Sequence, residues 1–155
     1  GDAVDQCGNG MADDSCALLS TEMYVRRVMP HHRRYYDSGA PDAPRFMHMC
    51  GDAQRLFPTI HEHLGVTAFD TGFPFDHGRA RDELGEDVQI QGGPEVALLL
   101  SGTPDAVHQR TTDILNSGVT RGGRFILREA NNLPPNIPEA NLEAMYAACL
   151  EHGRL

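Results

Sequence analysis

The chain has 155 residues, 40% of them hydrophobic, and a net charge of −9 in which every basic side chain is arginine. That length supports one domain with a real core, and no apolar run approaches the roughly 18 residues of a membrane span. An acidic surface repels phosphate, so nucleic acid is not an expected partner, and without a long apolar run neither is a membrane.

Cys7, Cys16, Cys50 and Cys149 are scattered without CxxC spacing, which argues against a zinc ribbon or a disulfide framework. The start, Gly1-Asp2-Ala3-Val4-Asp5, lacks the basic and apolar segments of a secretory leader, and a first residue other than Met suggests trimming or a truncated clone. Reduced thiols and a cytoplasmic location are the expectation.

Short apolar strands alternate with amphipathic helices, the signature of βα units on a parallel sheet. The first unit has a weakly marked strand at Ala3–Gly8, a loop through Asp13-Asp14, and a helix over Thr21–Tyr36 that Ser20 or Thr21 caps and Pro30 kinks. His31-His32 and Arg33-Arg34 read as an exposed face of that helix. The second strand, Pro44–Cys50, stops at Gly51-Asp52 and leads to a helix over Ala53–Leu64 with Leu56, Phe57, Ile60 and Leu64 on one face. A third strand, Val66–Asp70, runs into a loop holding His77, then a short helix at Arg79–Leu84.

The fourth strand, Val88–Gln91, ends at Gly92-Gly93-Pro94 and is followed by a short helix at Glu95–Leu100. Thr103 as N-cap, Pro104 in the first turn and Gly118 past the end frame a helix over Pro104–Ser117. The fifth strand, Arg124–Glu129, opens through Ala130–Pro135 onto a last helix. There Leu142, Met145, Tyr146, Cys149 and Leu150 are spaced to pack as one stripe. One domain over residues 1–155 is the economical reading.

His48-Met49-Cys50-Gly51 resembles the HxCG strand end of the methyltransferase branch of the uroporphyrinogen decarboxylase and corrinoid-methyltransferase superfamily. Leu84-Gly85 with Val88-Gln89-Ile90-Gln91-Gly92-Gly93 resembles its next strand and turn, and Gly102-Thr103-Pro104-Asp105 its GTPE helix start. Phe125-Ile126-Leu127 through Pro134-Pro135, and Pro138-Glu139-Ala140-Asn141, are similar to its last strand and final helix. The resemblance implies an α/β fold that is part of a TIM (β/α)8 barrel, about five βα units corresponding to strands four to eight. A half-barrel leaves strand edges unpaired, so self-association, or a polypeptide supplying the missing strands, is expected.

In such barrels the site lies at the C-terminal strand ends, where residues i and i+2 of one strand share a face. His48 and Cys50 together suit zinc, which in catalytic sites takes three protein ligands and leaves a position for substrate. The resemblance implies that the acceptor is a thiol and that the methyl group comes from a corrinoid on a partner protein. In the methyltransferase branch a Cys follows the last strand; Asn131 stands at the matching position, so Glu129 is the expected third metal ligand, with Asp70 at the end of the third strand as the other candidate. Arg128, alternating with Glu129, is expected to face a covering helix. Asp13, Asp14 and Asp70 are candidate catalytic acids, and His77, Asn131 and Asn132 candidate substrate contacts. The alternatives are a decarboxylase-like enzyme acting on a tetrapyrrole, and a catalytically silent truncated barrel fragment that persists as an oligomer.

Overall fold

The computed structural model describes residues 9–40 and 42–153. The expected strand Ala3–Gly8 and Cys7 lie outside the described residues. Five parallel strands form one sheet in sequential order: β1 (Asn9–Ala12), β2 (Arg45–Met49), β3 (Val66–Thr71), β4 (Gln89–Gly92) and β5 (Phe125–Leu127). Sequential parallel strands joined by right-handed crossovers carry their helices on one face, as in a barrel wall. This is a partial TIM barrel.

The register fixes which side chains face which way. Met47, Phe69, Ile90 and Phe125 pair across β2 to β5 in one row and point into the helix-covered layer. Each of the fully buried members contributes about 1.5–3 kcal/mol by leaving water. Phe57 reinforces that row by stacking on Phe69, with centroids 4.5 Å apart. One residue along, Ala12, His48, Asp70, Gln91 and Ile126 form the next row. Alternation of side chains sends that row to the opposite, open face.

The first helical stretch is not a plain helix. α1 (Thr21–Met23), capped by Ser20, passes through a π-turn at Tyr24–Val28 into α2 (Met29–Asp37). Widening of the turn before Pro30 absorbs the proline where a kink was expected. The extra residue also rotates α2 about its axis: His32 is buried at 6% exposure, not part of an exposed face.

α3 (Phe57–Leu64) ends on Gly65 in the left-handed conformation, φ 65°, where a glycine carries no Cβ penalty. α4 (His77–Leu84) starts earlier than expected because Asp76 caps it, accepting from the Arg79 amide at 3.0 Å. α5 (Val96–Ser101) and α6 (Pro104–Ile114) follow, α6 capped by Thr103. Between the strands' N-terminal ends, buried Arg81 donates to the carbonyls of Val119, Gly85, Val88 and Arg124 at 2.7–3.0 Å, pinning β4 and β5. α7 (Glu139–His152) departs most from expectation, since it buries Asn141 and Ala148 while Tyr146 and Leu150 are exposed. Asn141 donates to the carbonyls of Leu99 and Gly102, so α7 is anchored by a polar side chain that hydrophobic spacing does not reveal. Among the described residues no helix is long and apolar enough to cross a membrane.

Candidate active site

The C-terminal ends of β2, β3 and β5, together with the loop after β1, bring five chemically active side chains together on the open face. His48 is the last open-face residue of β2, and Cys50 follows its final residue, before Gly51 turns the chain at φ 74°. The Cys50 sulfur lies 3.3 Å from His48 Nε2. Asp14 reaches in from the β1 loop, its Oδ1 3.7 Å from His48 Nε2 and accepting from the Cys50 amide at 2.7 Å.

These three donors fit one metal ion. Bond lengths of about 2.0–2.3 Å around a tetrahedral zinc separate its ligand atoms by about 3.3–3.7 Å, which matches both spacings just given. Asp14, His48 and Cys50 form a donor set with every ligand atom within 4.8 Å of the others. Space around Cys50 is tight: a side chain at Gly72 would meet the Cys50 sulfur at 2.6 Å.

A second layer orients this set. Asp70, buried on β3, holds His48 Nδ1 at 2.8 Å, leaving Nε2 aimed at Cys50 and Asp14. A carboxylate on the far nitrogen fixes ring orientation and raises ligand basicity. The same Asp70 oxygen takes a charge-assisted bond from Arg128 at 3.1 Å, while its other oxygen is buried without a partner among the described residues. Burial first, then the charges of Asp14 and Asp70, push the Cys50 thiol up to about 11. The thiol therefore holds its proton at neutral pH until a cation displaces it.

Several expected residues take other places. Glu129, expected as the third ligand, is turned to Arg128 at 2.7 Å, and the carboxylate grouped with His48 and Cys50 is that of Asp14. Arg128 was expected to face a helix. The pairing of Gln91 with Ile126 puts Ile126, and so Arg128 two residues on, toward the open face. His77 is not at this face: it is 4% exposed, packed edge-on to Phe75 and Phe125 in the helix-covered layer, and burial lowers its pKa to about 4. The Asn131 backbone carbonyl accepts from Arg128 at 3.2 Å, and Asn132 lies exposed beside it.

Asp13 and Asp14 separate. Asp13 turns away from His48 to bond His32 Nε2 at 3.0 Å and the Cys16 thiol at 3.1 Å, and His32 Nδ1 meets the Tyr24 hydroxyl at 3.2 Å. Spacing gave no signal for this group, because its phase depends on the π-turn.

The uroporphyrinogen decarboxylase (URO-D) family model matches residues 8–152. The chain belongs to that family. It is 32% identical over 139 residues to a methylated-thiol–coenzyme M methyltransferase of Methanosarcina mazei, covering 88% of this chain and 35% of that protein. Uroporphyrinogen decarboxylase of Prochlorococcus marinus is 29% identical over 139 residues, covering 88% of this chain and 38% of that enzyme. A solved methyltransferase structure from Methanosarcina mazei superposes with TM-score 0.72 at 16% identity, over 94% of this chain and 42% of that one. The chain thus spans little more than a third of the length of these curated relatives, and its fold is that of part of the family's barrel.

Proposed function

We propose that this chain carries the metal-binding and acceptor-activating part of a corrinoid-dependent, zinc-using methyltransferase that moves a methyl group to a thiol. The observation that carries the reading is the convergence of Asp14, His48 and Cys50 at zinc-ligand separations, with Asp70 behind His48. Zinc held there would supply a Lewis acid that lowers the pKa of a thiol at its open position. Asp14, reaching in from the β1 loop, and Cys50 provide two negative charges, and His48 a neutral nitrogen. Asp70 keeps the His48 proton on Nδ1, so Nε2 stays available. Arg128 balances the charge of Asp70 and Glu129.

The similarity to a methylated-thiol–coenzyme M methyltransferase supports a thiol acceptor, and a corrinoid protein as partner is what the resemblance of the strand-end motifs implies. A tetrapyrrole decarboxylase needs cations facing acidic side arms, whereas Arg128 is already engaged by two carboxylates. β1 and β5 bound the described sheet. We assign the completion of the barrel to a segment or polypeptide carrying the remaining strands, or to self-association through those edges. The test is zinc content by elemental analysis, with proton release on adding 2-mercaptoethanol. One zinc per chain at this site, lost in Cys50→Ser together with the thiol-dependent proton release, is the expected result. Absence of zinc at this site in the unaltered protein would overturn the methyl-transfer reading and leave the family assignment intact.

A further inference from the structure

We propose that Asp13, Cys16 and His32 form a second site, for one zinc-like divalent cation, buried behind the His48 face and built for structure rather than for substrate. The three offer a carboxylate, a thiolate and an imidazole whose ligand atoms all lie within 4.8 Å of one another. Mixed N/O/S donors of this kind suit zinc and its neighbours. Asp13 Oδ2 is 3.0 Å from His32 Nε2 and 3.1 Å from the Cys16 sulfur. An ion at about 2.0–2.3 Å from each donor requires separations of about 3.3–3.6 Å, so both separations to Asp13 fit once the carboxylate withdraws by a few tenths of an ångström. Asp13 is the ligand able to do this: its side chain is 29% exposed and it precedes the short 3-10 turn Asp14–Leu18. Cys16 and His32 are held in the core at 1% and 6% exposure.

The fourth group identifies the cluster as more than a chance of packing. Tyr24 OH lies 3.2 Å from His32 Nδ1, on the ring nitrogen away from the ligand set. A hydrogen-bond partner at that position orients a metal-bound imidazole. Binding balances simply. The cation bonds the Cys16 sulfur, whose proton goes to solvent. It bonds His32 Nε2, whose proton is replaced by one on Nδ1 donated to Tyr24 OH. One proton is released in all. The carboxylate and thiolate together cancel the charge of a divalent ion, so the buried unit is neutral. Bound there, the ion ties the β1 loop to the π-turn and α2 (Met29–Asp37), and so fixes the backbone from which Asp14 reaches the front site.

The experiment is a cobalt(II) titration of the Cys50→Ala chain, read by the thiolate-to-cobalt charge-transfer band, with circular dichroism to establish that each variant is folded. One equivalent of cobalt with that band is expected. Tyr24→Phe in the same background should keep the band and weaken binding about 10- to 100-fold. Adding Cys16→Ala should abolish it. Folded Cys50→Ala protein without the band, or a band that survives Cys16→Ala, would overturn the second site and show a buried hydrogen-bond network only. The front site is read separately, by the band of the Cys16→Ala chain with Cys50 intact, so either can fail alone.

Discussion

Asp13 and Asp14 are neighbours in sequence and serve two donor groups of opposite character. Asp14 joins His48 and Cys50 on the open face, where the His48 side chain is 19% exposed. Asp13 joins Cys16 and His32 within the packed layer, where burial first and then Asp13 push the Cys16 thiol up to about 12. The same residue types thus meet different surroundings according to which side of the strand end they reach. In the readings proposed above, exposure suits the first group to chemistry and enclosure suits the second to fastening. The partner behind each imidazole sharpens the contrast: Asp70 stands on the far nitrogen of His48, whereas His32 has a phenol there.

The largest separation of the two groups is expected from Asp70→Asn. Loss of the orienting carboxylate should weaken metal binding at the front site about 10- to 100-fold, and leave binding by a Cys50→Ala chain unchanged, both read by cobalt titration. Equal weakening in both would merge the two groups into one.

Acid should act on the layer behind the sheet through His77. Its pKa falls from 6.5 in the unfolded chain to about 4 in the folded one because burial disfavours the cation. The stability it contributes is therefore complete above about pH 6.5 and is lost as pH falls through 4. The shift corresponds to about 3 kcal/mol, measurable by urea unfolding across that range. A His77→Phe chain with the same pH slope would show that His77 is not the group responsible.

Gly72→Ala tests the crowding of the front site, since its Cβ would fall 2.6 Å from the Cys50 sulfur and backbone. Overpacking of this kind costs about 1–3 kcal/mol and should displace Cys50, lowering front-site affinity while the Asp13 group keeps its own. Smallest is Thr103→Ala, which removes the cap accepting from Ala106 at 3.2 Å. It should cost about 1 kcal/mol of stability by chemical denaturation with no effect on either donor group.

Four of the five strands and the pairing of His48 with Cys50 were legible because period-2 alternation and a motif at a strand end both survive in sequence, whereas β1 (Asn9–Ala12), with two small residues in four, was not read as a strand. Arg128 was assigned to the wrong face for a definite reason. β5 is only Phe125–Leu127, too short to show its own phase, and its facing comes from pairing with β4. His32 was hidden by the π-turn at Tyr24–Val28, whose extra residue shifts every later position around the helix. The buried face of α7 rests on Asn141, a polar anchor invisible to a search for apolar spacing. Asp14, read in sequence as a candidate acid, could have been grouped with His48 and Cys50 by asking which carboxylate lies after the neighbouring strand end, rather than after the last one.

The most direct measurement is anomalous diffraction at the zinc edge from crystals grown with zinc. The expected result is a peak enclosed by Asp14 Oδ1, His48 Nε2 and the Cys50 sulfur, with Asp70 still on His48 Nδ1. A peak ligated by Glu129 in place of Asp14, or none beside His48 and Cys50, would contradict the assignment of this face as the metal site.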